Sequence, residues 1–84
     1  MKKELVALGY SPHLCDLEES NSFFDCVLVC TVGEGNLLAF GFAPSDDRKS
    51  SWLFLKFGGT GNRILIQNKN IIGCYPMRVV EAKN

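Results

Sequence analysis

From Phe23 onward, apolar runs and turn signals alternate with almost nothing between them. Residues 23–32, 37–42, 52–57 and 64–66 read as successive strands and 71–75 as a fifth, because short β-branched and aromatic runs bounded by Gly, Asn, Asp and Ser mark antiparallel strands. In the first of these, Phe24, Cys26, Leu28, Cys30 and Val32 share one face, and Phe23, Asp25, Val27, Val29 and Thr31 share the other. Both faces are apolar at mid-strand. The segment Gly33-Glu34-Gly35-Asn36 supplies the positive φ angles of a tight hairpin. The next strand sets Leu38, Phe40 and Phe42 against small Ala39, Gly41 and Ala43, with Gly41 marking a bend or bulge. Trp52 and Phe54 fall on one side of the following strand, and Leu53, Leu55 and Phe57 on the other. Pro76 predicts a limit to ladder pairing, leaving 78–80 as a last edge strand.

Ahead of the strands the pattern changes. Residues 2–8 predict a short helix closed by Gly9, with a strand as the competing reading. Ser11 followed by Pro12 predicts a helix of one or two turns over 12–19, with Leu14 and Leu17 facing inward, broken by Ser20, Asn21 and Ser22. The expected fold class is mostly β (α+β): a single domain over 1–84, with a helical N-terminal segment (1–22). An antiparallel meander (23–80) follows, a five- to six-stranded, strongly bent sheet or a small barrel, since closure hides short strand edges.

The element order over 12–75 resembles the Sm-like and SH3-like small barrels. Val27-Leu28-Val29 before a glycine turn, and Ile64-Leu65-Ile66 before Asn70-Ile71-Ile72-Gly73, are similar to the two strand pairs of an Sm-like protein. Ala43 and Pro44 stand where that family carries an acidic residue after its aromatic, and Gln67 and Asn68 where it tends to carry arginine and glycine. These departures fall on the positions that hold RNA in the family. The resemblance therefore implies the barrel and does not carry the RNA site with it.

Size and charge narrow the functional classes. A chain of 84 residues buries only about 60–65% of its unfolded surface, so the core is thin and each apolar strand face matters. Nine basic and nine acidic side chains cancel, which removes the global field of general polyanion binders. The apolar stretch 5–8 is too short for a secretory or membrane segment, so a cytoplasmic location is expected. Cys15, Cys26, Cys30 and Cys74 are then expected as reduced, buried thiols.

Candidate chemistry is sparse. Cys26 and Cys30 lie on one strand face about 13 Å apart, too far to share one zinc. Cysteine–histidine catalysis would need His13, the single histidine, against one of the four thiols. The pairs Glu18-Glu19 and Asp46-Asp47 are adjacent in sequence and do not face each other across a substrate. Residues 58–63 look like a phosphate loop, but a strand follows where such loops need a helix. Neither a cofactor nor a metal is expected. Base stacking on a small barrel would use Trp52 and Phe54 with Lys56 on one strand face and Lys49, Arg63 and Lys69 from the flanking turns.

What remains is an excess of apolar strand surface. One sheet in a chain this short covers one face well, yet Val27, Val29, Leu53, Leu55 and Phe57 or their opposite partners ask for cover on a second. The expectation is a small non-catalytic binding protein acting through protein–protein contacts, as a homo-oligomer or an accessory or inhibitory subunit. RNA or single-stranded DNA binding is the alternative, and a small enzyme using His13 and a cysteine the third class.

Overall fold

The computed structural model describes residues 2–18, 23–56 and 62–82. Its strands are β1 (Lys3–Ala7), β2 (Cys26–Thr31), β3 (Asn36–Pro44), β4 (Ser51–Lys56), β5 (Arg63–Gln67) and β6 (Ile71–Glu81). They form one six-stranded antiparallel sheet in the order β1-β6-β2-β3-β4-β5. Two 3-10 turns, Leu14–Leu17 and Asn68–Asn70, complete the regular structure of the described residues.

The expected N-terminal helices are not formed. Residues 3–7 pair with β6 from Lys3↔Glu81 to Ala7↔Met77, so β-sheet pairing overrides a composition of good helix formers. The expected helix over 12–19 shrinks to the single turn Leu14–Leu17. Ser11 does not cap it; its backbone bridges Cys74 in both directions at 2.8 Å, and its hydroxyl donates to the His13 carbonyl at 2.8 Å. The inward-facing pair is as expected, Leu14 and Leu17 being buried.

The sheet is strongly bent and open. Four residue steps join Gln67 to Ile71, reaching about 14 Å at full extension, whereas β5 and β6 stand four places apart in the order, about 19 Å in a flat sheet. Curvature closes that difference, and Val32 N–H donates to the Asn70 carbonyl at 2.8 Å where the chain arrives beside β2. No ladder joins β5 to β6 or β1, so the closed SH3/Sm-like barrel is not what forms. The edges are β1 and β5.

Pro76 does not interrupt β6. Antiparallel residues point N–H and C=O to the same side, and the Pro76 carbonyl accepts from Leu8 N–H at 2.8 Å. Its missing donor therefore faces the point where the chain leaves β1, and the β2 ladder runs past it through Val27↔Pro76. The expected separate edge strand at 78–80 is instead the C-terminal half of β6, flanked by β1 over its length.

Gly41 marks a bulge, as expected: the β3–β4 register shifts between Ala39 and Gly41. The shift reverses the alternation, so Phe42 leaves the face of Leu38 and joins Leu37 and Ala39 on the core side. There it lies edge-on to Trp52 (5.8 Å, 62°) and beside Phe54 (6.4 Å) and Phe24 (6.5 Å). Val27, Val29, Ala39, Phe54 and Cys74 are fully enclosed, with Leu14, Leu17, Leu37, Trp52 and Ile66 around them. The hairpin 31–36 turns on positive φ at Gly33 and Gly35.

Candidate functional site

The residues named for nucleic-acid contact do not converge. Trp52 is 1% exposed, so its ring is a core wall and presents no face to a base. Its indole N–H is buried without an acceptor among the described residues, which marks it as packing. Register then separates the cations. Ser51↔Gln67 defines one end of the β4–β5 pair and Leu55↔Arg63 the other. Lys49 and Lys69 lie at the first end, Lys56 and Arg63 at the second, four residues or about 13 Å along the strands. The Lys49 ammonium is also engaged, by Glu18 at 2.6 Å.

The thiols and His13 are distributed between surface and core. All four cysteines are free thiols; Cys15 is exposed, while Cys26 and Cys74 are buried. Burial pushes the Cys74 thiol up to about 11, with Cys30, Asp16 and Cys15 adding smaller contributions in the same direction. Its Sγ donates to the Ser11 carbonyl at 3.4 Å, so it is protonated and occupied near neutrality. Burial also raises Cys26, aided by the Asp25 carboxylate. His13 is exposed beside the first 3-10 turn. Among the described residues no three His, Cys, Asp or Glu side chains gather as metal ligands.

The acidic pairs have structural employment. Asp46 accepts from Ser50 N–H at 3.0 Å and from the Ser50 hydroxyl, which hold its carboxyl below the usual carboxylate range. Asp47 shares that loop, Glu18 pairs with Lys49, and Glu19 lies outside the described residues. Of the glycine-rich segment, 58–61 also lies outside them. Asn62 accepts from Lys56 N–H at 2.9 Å, and Arg63 opens a strand. A hollow of about 190 Å³ between Phe24, Val27, Ala39 and the Gly41 bulge is smaller than a drug-sized ligand needs.

What the geometry does collect is an apolar outer face, opposite the core. Cross-strand partners share a face, so Leu5↔Val79, Leu28↔Tyr75 and Leu28↔Leu38 belong together, and Leu53↔Leu65 continues the face on the far strands. Leu5 is 40% exposed, Val79 42% and Leu65 59%. Among the described residues no element packs across them. Leu5, Leu38 and Val79 line an open hollow with Lys3 and Glu4 beside it. At one end Tyr10 folds over Gly73, bonding the Ile72 carbonyl at 3.3 Å and lying 5.0 Å from the Tyr75 ring.

Val27 and Val29, expected on the second face with Leu53 and Leu55, are instead fully buried in the core; Leu53 and Leu55 were legible on that face from alternation. Leu5 and Val79 were not, because their partnership depends on β1 being a strand. The signal available was weak: Leu5-Val6 near one terminus and Val79-Val80 near the other, a pairing that only long-range contact selects. Comparison with family models, curated proteins and solved structures finds no match. Among the described residues no helix is long and apolar enough to cross a membrane.

Proposed function

We propose that this chain is a non-catalytic binding protein that works through protein–protein contacts made by the outer face of its sheet, as a homo-oligomer or as an accessory or inhibitory subunit. The observation that carries the reading is the uncovered aliphatic surface around Leu5, Leu38 and Val79, continued by Leu53 and Leu65. Burying such surface yields about 25 cal/mol per Å², and contiguous patches of this kind mark interaction sites on soluble domains. Zero net charge removes long-range steering by polyanions and leaves apolar contact as the main source of affinity. The distribution of Lys49, Lys56, Arg63 and Lys69 over two ends of a hairpin gives no continuous phosphate track.

The test is a paired variant. Leu38→Lys with Val79→Glu charges the hollow at exposed or half-exposed positions, so the fold survives and circular dichroism shows it. The reading expects loss of self-association, or loss of proteins retained by the wild type from its own cells, on going to the variant. Identical behaviour of wild type and variant in both assays overturns it. Retention of single-stranded nucleic acid at low salt, abolished by Lys56→Ala with Arg63→Ala, would favour the nucleic-acid alternative instead.

A further inference from the structure

One edge of the sheet is open beside the core. Among the described residues β5 pairs with β4 alone, and the parity of its backbone follows from its flanks. The Asn62 carbonyl accepts from Lys56 N–H, and Asn68 N–H donates to the Ser50 carbonyl at 2.7 Å. Even-numbered residues therefore point their backbone groups at β4, and Arg63, Leu65 and Gln67 point theirs out of the sheet. These three side chains are exposed, while Ile64 and Ile66 turn into the core. Arg63 is the one charge on the edge, which has no proline, no register shift and no inward charge.

We infer that β5 pairs antiparallel with β5 of a second copy of this chain, about a twofold axis through Leu65. The register is self-complementary. Leu65 meets Leu65 of the second copy, and Arg63 meets Gln67, so no like charges oppose each other. Every residue in these pairs is outward-facing, so each pair exchanges both backbone hydrogen bonds. Pairing also joins two cores. Ile66 is 3% exposed and Ile64 packs against the core cluster, and the axis sets them beside Ile64 and Ile66 of the second copy.

The other edge lacks that continuity, since β1 is exposed at every residue and carries Lys3 and Glu4. An isologous β5–β5 contact closes on itself and stops at a dimer, whereas β5 joined to β1 of another copy would propagate into a fibre. This inference deepens the protein-contact reading by naming the partner at one edge.

Sedimentation equilibrium on the full chain tests it. The wild type is expected to show a reversible monomer–dimer equilibrium. Leu65→Lys places two ammonium groups on the axis at an exposed site and weakens the dimer by about tenfold; Gln67→Lys, opposite Arg63, weakens it severalfold; Gln67→Glu tightens it severalfold and makes it salt-sensitive. Arg63→Glu combined with Gln67→Lys restores the dimer, which a loss of folding would not do. A single-chain mass at every concentration overturns the inference, as does a dimer indifferent to Leu65→Lys and Gln67→Lys. If the dimer yields to Leu38→Lys with Val79→Glu but ignores the edge variants, the edge inference falls and the outer-face reading stands.

Discussion

Gly73 and Tyr10 form the most specific contact on the outer face. A Cβ at position 73 would lie 2.6 Å from Tyr10 Cζ, so the ring must leave and its contact with Tyr75 is lost. Gly73→Ala should therefore cost about 1–2 kcal/mol in urea unfolding, since overpacking adds to the loss of an aromatic pair worth about 0.5–1.5 kcal/mol. In a Tyr10→Ala background the same substitution should be close to neutral, because the obstacle is gone and alanine limits the unfolded chain more than glycine does. Additive costs in the double variant would refute the contact.

Cys74 gives a pH signature. Its folded thiol titrates near 11, above the ordinary value of 9.0. Between those values the unfolded chain releases the proton and the folded one holds it, so stability is intact below pH 9 and declines as pH rises toward 11. Cys74→Ala should flatten that decline in thermal melts run across this range. Iodoacetamide at pH 8 should label exposed Cys15 first and Cys74 last.

Among the elements, the first 3-10 turn shows how unequal its two attachments are. Leu14 is 1% exposed against the core, and Leu14→Ala should cost about 2–5 kcal/mol through lost burial and the cavity left behind. The Lys49–Glu18 pair at its end is partly exposed, and Glu18→Gln should cost less than about 1 kcal/mol and nothing at high salt. A comparable loss in both, measured by denaturant midpoint, would mean the ion pair seats the turn as firmly as Leu14 does.

Legibility divides along the same line between local and long-range causes. The strands β2 to β5, the Gly33–Gly35 hairpin and the bulge at Gly41 were readable because alternation, aromatic content and glycine placement act within a few residues. Alternation put Trp52 and Phe54 on one face but did not say which face was the core, and Trp52, read as a stacking candidate, is buried. Over β1 the composition of Lys, Glu, Leu and Ala favours a helix and leaves a strand as the competing reading, and pairing with Val79 and Val80, more than seventy positions away, selects the strand. Pro76 misled for a similar reason: its cost depends on which neighbour its nitrogen faces, a property of the assembled sheet. Sheet closure hung on the β5 edge, which no residue pattern specifies. Of the candidate sites, the second apolar face was legible, and the grouping of Leu5 with Val79 was not.

The molecule as a whole is a thin, curved sheet 45 × 26 × 22 Å in extent, with a core on one face and aliphatic side chains left at the surface of the other. Among the described residues Asp46 holds a turn, Glu18 pairs with Lys49, and Cys26 and Cys74 are buried. The proposed protein-contact function rests on that outer aliphatic surface. The most direct measurement is site-specific photo-crosslinking in the cells that make the protein, with benzoylphenylalanine at Val79 on the outer face and at Asp47 in the polar loop as the comparison. The account predicts protein adducts, to itself or to a defined partner, from position 79 well above those from position 47. Equal yields from both positions, or adducts to nucleic acid alone, would contradict it.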